Sequence, residues 1–153
     1  MITKEEILRR LRAGRAELEA ALAELTPEQM LQPATCGAWS VKDMLGHIVS
    51  WEQHMLADYA RLFSGQPVYE VNDADIDATN AATFERVHGI PLEEMRAEFA
   101  RSYRQVEAWL ESASAEQLAT PYLYGMTAGE FVRIDTYEHY EEHLAQVKAF
   151  LQD

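Results

Sequence analysis

An all-α fold is the class this sequence predicts, and three observations predict it. Four long segments repeat apolar residues at helical spacing, each opens on a helix-start signal, and almost no stretch alternates as a strand does. The first segment runs from Thr3 to about Leu25. Thr3 and Glu6 read as a capping box, and Ile7, Leu11, Gly14, Leu18, Leu22 and Leu25 fall on one stripe. "TPEQ" breaks it, because Pro27 suits the start of a helix and not its interior. "PATCGAWS" then reads as a loop.

The second helix starts at Ser40, with Asp43 completing the capping pattern and Trp39 placed to staple onto Met44. Its stripe is Met44, Leu45, Ile48, Trp51, Met55, Tyr59 and Leu62, and Gly65 with Pro67 ends it. An acidic start favours a short extra helix from about Asp73 to Val87, closed by Gly89. Pro91 opens the third long helix, striped by Leu92, Met95, Phe99, Tyr103, Val106 and Trp109/Leu110. Thr127 and Glu130 cap the fourth, read as continuous to Leu151. With no repeat and no linker, the expectation is one four-helix-bundle domain over residues 1–153.

The bulk numbers narrow the partners. A net charge of -13 and a pI near 4.7 should repel phosphates, so nucleic acid is not an expected partner, nor is an anionic membrane. No apolar run approaches the ~18 residues of a membrane span, and "MITKEEILRR" has no apolar core for a signal peptide, so the expected location is cytoplasmic. The single cysteine, Cys36, excludes an intramolecular disulfide and a cysteine-based zinc site. It lies outside the helical stripes, with no histidine or basic residue near it in sequence, and reads as dispensable.

The chemistry concentrates in "YEHYEEHLAQV", Tyr137 to Val147. On a wheel at ~100° per residue His139 and His143 lie ~40° apart, inside the apolar arc that Val132, Leu144, Val147, Phe150 and Leu151 outline. Imidazoles at i and i+4 project from successive turns of one face, where both can reach one metal ion. His47 is the candidate third ligand, ~40° from Trp51 at the edge of the second helix's stripe. Gly46 beside it would let a neighbouring backbone come close, and His54 and Asp58 border the same edge as candidate supports of the ligands. A lone core-facing histidine is ordinarily just a hydrogen-bonded interior residue. Three of them in one bundle bury nitrogens that need partners, which favours a metal. His88, beside Gly89, reads as a solvated helix end, and Asn80 as a surface residue that could edge a pocket mouth.

His139-Tyr140-Glu141-Glu142-His143 also fits H-x-x-E-H, an inverted peptidase pattern. That chemistry needs a third ligand well downstream, and only ten residues follow His143. In a metal-dependent enzyme built on His47, His139 and His143, Glu142 or Glu138 would be the candidate base or ligand-orienting group, although Glu142 lies ~100° from His143 on the wheel.

"GAWSVKDMLGHIVSWEQHML", "ELTPEQM", "ESASAEQL" and "HYEEHLAQVKAFL", in this order and spacing, resemble the DinB-like superfamily of four-helix bundles, of the DinB/YfiT-like type, across nearly the whole chain. The resemblance implies a divalent metal, zinc or nickel, on His47, His139 and His143, and a homodimer. It also implies a small-molecule substrate, with a low-molecular-weight thiol as cofactor in thiol-dependent transferases and isomerases, or a related hydrolase activity. The chain departs from relatives in placing Leu144-Ala145 before Gln146, where an arginine or glycine is frequent. The rival expectation is a non-catalytic bundle that binds a metal or ligand as an interaction protein.

Overall fold

The computed structural model describes residues 2–153, and among them the chain forms eight helices and no strand. α1 (Lys4–Leu22), α3 (Val41–Phe63), α5 (Leu92–Ser112) and α8 (Tyr137–Gln152) are the long ones. α2 (Pro27–Leu31), α4 (Asp73–His88), α6 (Ala115–Ala119) and α7 (Ala128–Asp135) complete the set. α3 packs along α5 and α1 along α8, while α1 also touches α5 and α7, so the four long helices enclose one core. The expected apolar stripes line it: Ile7, Leu11, Met44, Ile48, Met55, Met95, Val106 and Val147 are all within 1% of complete burial. No described helix is long and apolar enough to cross a membrane.

The start signals act largely as read. Thr3, Ser40 and Thr127 accept from the backbone N–H three residues on, and at Thr127 the Glu130 carboxylate returns the bond. At Thr3 the return bond is missing, because Arg9 and Arg10 both draw in the Glu6 carboxylate. α1 ends at Leu22 and not near Leu25; a tight turn follows, and Leu25 is still buried. The two short helices α2 and α6 each carry a full capping box, at Thr26/Gln29 and Ser114/Gln117.

Two corrections matter for the site. The fourth long helix is not continuous: it breaks at Thr136, whose backbone leaves the helical region at φ -128, ψ -105. The Thr136 hydroxyl donates to the Val132 carbonyl at 2.6 Å, a bond to the i−4 carbonyl of the kind that bends helices. α7 and α8 therefore meet the core in different phases. The second correction concerns Gly46. A Cβ there would lie 2.5–2.9 Å from the side chain of Val87, so it is a side chain of α4, not a backbone, that the glycine admits. Close by, Lys42 donates to the carbonyls of Val87, His88 and Ile90 at 2.7–2.9 Å, closing the C-terminal end of α4.

Candidate functional site

Two helices converge on one point. His47, from the middle of α3, and His139 and His143, from the first half of α8, turn their Nε2 atoms toward one another. His139 Nε2 lies 2.9 Å from His47 Nε2 and 2.9 Å from His143 Nε2, and the three donor atoms lie within 4.8 Å of one another. The other nitrogens explain the aim. His143 Nδ1 lies 2.8 Å from Gln146 Oε1, which can only accept, so Nδ1 carries the proton and Nε2 the lone pair. Trp39 packs edge-on against His47 with ring centroids 5.1 Å apart.

Burial keeps the rings neutral. It pushes His47 down to about 4, with the nearby His143 adding to the fall and Asn80 opposing it. His139 is driven well below the usual histidine range, by burial first and then by His143 and His47. Burial also lowers His143, against the pull of Gln146 and Glu142. Neutral imidazole is the metal-binding form.

Whether these residues fit an ion can be asked of their hydrogen bonds. His139 Nε2 faces two other Nε2 atoms, yet it has a single lone pair or a single proton to offer. The Nδ1 atoms of His47 and His139 are buried without a partner. Hydrogen bonding alone leaves this cluster unsatisfied, whereas one divalent cation would accept all three lone pairs. The triad could hold a single ion. Among the described residues no fourth His, Cys, Asp or Glu joins it, so coordination positions would remain open.

His47 and His139 also form part of the wall of a cavity of about 450 Å³. Trp51, Tyr122, Tyr124 and Phe131 make its aromatic side, and Asp58, Asp135 and Glu142 its acidic one. Asn80, read as a surface residue, lines this cavity and accepts from Trp51 Nε1 at 2.9 Å, pinning α4 to α3. His54 and Asp58 form no bond to the three imidazoles. Asp58 instead accepts from the Tyr122 hydroxyl at 2.7 Å, with His54 3.8 Å away. Glu142 faces the cavity, while Glu138 is held outside by Arg133 at 2.7 Å. The third imidazole comes from upstream, on α3, which is not the peptidase arrangement. His88 has a largely exposed side chain, stacked on Phe84 and 3.4 Å from Asp43.

Sequence reading missed Asp135, Tyr122, Tyr124 and Gln146. Gln146 lies three residues past His143 on the same helix, a spacing that could have flagged it; the tyrosines lie in an irregular loop with no period to read.

Cys36 is buried, and a smaller cavity brings it beside His47 and His143. Burial raises its thiol to about 11, with Thr35 opposing, so it stays protonated and unreactive at neutral pH. Cys36→Ser is expected to leave helix content and metal uptake unchanged, and the native thiol to react with an aromatic disulfide reagent only on unfolding. Fast stoichiometric labelling of the folded protein would contradict this.

A helical bundle in which three imidazoles converge beside a cavity is an architecture that could hold a metal ion between its helices. The chain belongs to the DinB superfamily, whose sequence profile matches residues 10–147. No curated protein matches the sequence. Among solved structures, the colibactin self-resistance protein ClbS, crystallised with double-stranded DNA, superposes with a TM-score of 0.86 at 17% identity, over 97% of this chain and 94% of its own. An uncharacterised protein from Escherichia coli UTI89 gives 0.86 at 16%, over 98% and 93%. DfsB, a sibling lethal factor precursor, gives 0.85 at 14%, over 99% and 96%. At these identities the likeness is one of fold.

Proposed function

We propose that this chain is a divalent-metal-dependent enzyme that acts on an electrophilic small molecule in the cavity beside His47, His139 and His143. The convergence of three Nε2 atoms beside the cavity, with that of His139 2.9 Å from each of the other two, is the observation that carries it. Zinc or nickel suits a set of three neutral imidazoles. The ion would supply Lewis acidity toward a nucleophile or substrate in the cavity. The chain's own part is to hold the three rings neutral and aimed, to exclude bulk water with Trp51 and Phe131, and to orient substrate polar groups through Asn80 and Asp58. Water or a low-molecular-weight thiol is the proposed nucleophile, giving a hydrolase or a thiol transferase. The absence of a fourth ligand among the described residues favours this over a purely structural ion or a non-catalytic binding bundle.

Metal analysis of untagged protein, followed by thiols paired with electrophiles, tests the reading. Protein that takes up no zinc or nickel, or turns over at the same rate after chelation, would overturn it. The neighbouring ClbS was crystallised with double-stranded DNA. For this chain we propose no nucleic-acid partner, since a net charge of -13 opposes a duplex; micromolar binding to a labelled duplex would reverse that. A homodimer is also proposed, and light scattering at the monomer mass of 17.4 kDa would count against it.

A further inference from the structure

Asp135 is the last residue of α7, just before the break at Thr136. It is 8% exposed, and among the described residues no protein group donates a hydrogen bond to its carboxylate. What exposure remains opens on the cavity that it lines. A buried carboxylate without a donor is costly, and native structures seldom leave one so without a use. Its surroundings make the cost greater. Burial, then the neighbouring Glu52 and Asp58, push the Asp135 carboxyl up to about 7. Each of these causes penalises its negative charge, and a bound positive charge would relieve them.

The rest of the wall has the same character. Asp58 and Glu142 face the cavity, and no lysine or arginine does. The aromatic side is built as a corner: Tyr122 meets Phe131 at 78° with ring centroids 4.9 Å apart, and Tyr124 stacks on Phe131 at 6.2 Å. Trp51 closes the side toward α3. Aromatic faces attract cations through the ring quadrupole, and neighbouring carboxylates reinforce that attraction. An anion would meet three carboxylates and no lysine or arginine among the described lining residues.

We propose that this cavity takes a small molecule bearing an ammonium group, which docks on Asp135 and Asp58 while its carbon framework lies against Trp51, Tyr122 and Phe131. The inference names the substrate class of the function proposed above and rests on that reading for the choice of site, but not on the ion itself.

The test compares three probes on one skeleton: (3-phenylpropyl)trimethylammonium, 3-phenylpropan-1-ol and 3-phenylpropanoate. The quaternary ammonium has no lone pair and cannot ligate a metal. Calorimetric titrations on chelated protein remove metal binding by the carboxylate. The ammonium probe is expected to bind at least about tenfold more tightly than the alcohol, and the carboxylate more weakly than either. Asp135→Asn should erase most of the ammonium preference and leave the alcohol's affinity unchanged. If that variant does not fold, Asp58→Asn serves in its place, and the probe ranking on the wild type decides alone. Equal affinities for the three probes, tighter binding of the alcohol or carboxylate, or no binding of the ammonium probe would overturn the proposal. Metal content measured on the same untreated batch separates the two readings, since an empty triad sinks the metal reading and leaves the ranking intact.

Discussion

His47→Ala is expected to lose zinc or nickel affinity by more than ~100-fold, the upper end of what removing an outer hydrogen-bond partner of a ligand costs. His139→Ala and His143→Ala should behave alike, because the three Nε2 atoms face a common point. Gln146→Ala removes only the acceptor that orients His143, so its loss should fall in the ~10–100-fold range. His88→Ala should change nothing, its ring lying largely exposed beside Phe84. A metal that binds only the native arrangement also stabilises it. At free metal a hundredfold above Kd the gain is about 2.7 kcal/mol. For a chain of this size that is a Tm rise of about 5–10 °C, which a chelator should abolish.

The pH dependence has a definite sign. In the fold His47 titrates near about 4, whereas in the unfolded chain imidazole titrates near ~6.5. Between those values the unfolded chain binds more protons. The metal-free protein should therefore lose stability as pH falls from ~6.5 toward about 4, and keep this contribution in full above ~6.5. His139 and His143 shift in the same direction and add to it. Protonation also competes with the ion, so metal release should accompany acidification. Wild-type affinity retained in His47→Ala would break the three-histidine assignment.

The largest loss of stability is expected from Arg15→Ala, far from any ligand. Arg15 is 2% exposed and Glu52 0%, and their charged ends lie 3.7 Å apart inside the bundle. The guanidinium sits 3.4 Å over the Phe99 ring, donates to the Phe99 carbonyl at 2.8 Å and reaches Glu19 at 2.8 Å. Glu52 in turn accepts from the Ser102 hydroxyl at 2.6 Å and from the Tyr140 hydroxyl. Burial raises the Glu52 pKa, while Ser102, Tyr140 and Arg15 oppose the rise. Removing the arginine leaves a buried carboxylate without its counter-charge and a carbonyl without its donor. Such breaks cost about 3–5 kcal/mol. Urea unfolding should show it as a lower midpoint with little change in slope. The double variant Arg15→Met/Glu52→Gln should be more stable than Arg15→Met alone, since the stranded charge is gone. A midpoint for Arg15→Ala equal to the wild type would contradict the account.

What could be read from the letters follows a physical line. The long helices were legible because burial on one face imposes a period, and the histidine pair because it shares that period with Leu144 and Val147. His47 needed only a second stripe to sit beside. Arg15 and Glu52 were not legible, since a charge on an apolar stripe signals burial only when its partner is known, and the partners lie on other helices. The break at Thr136 was hidden for a similar reason. No proline or glycine marks it, and a hydroxyl bonding to the carbonyl one turn back is a choice made in three dimensions. Asp135, Tyr122 and Tyr124 enter the cavity only once α7 is turned and the 120s loop is folded over it.

The attachment of α4 has a kinetic meaning. Of its sixteen residues only Thr83 and Val87 are buried, both toward the end that Lys42 and Gly46 hold. Ile76 and Asn80, which wall the cavity, lie in the helix's first half, where Asn80 accepts from Trp51, and Glu70 and Val71 just before the helix are hydrogen-bonded to Tyr124. Local opening costs least where few apolar contacts must be broken. The helix is therefore pivoted at Val87 and latched at Asn80 and, just before its start, at Tyr124, so traffic past its N-terminal turns requires both latches to open. On the enzymatic function proposed above, the rate of that opening, more than the chemistry at the histidines, would set how fast product leaves.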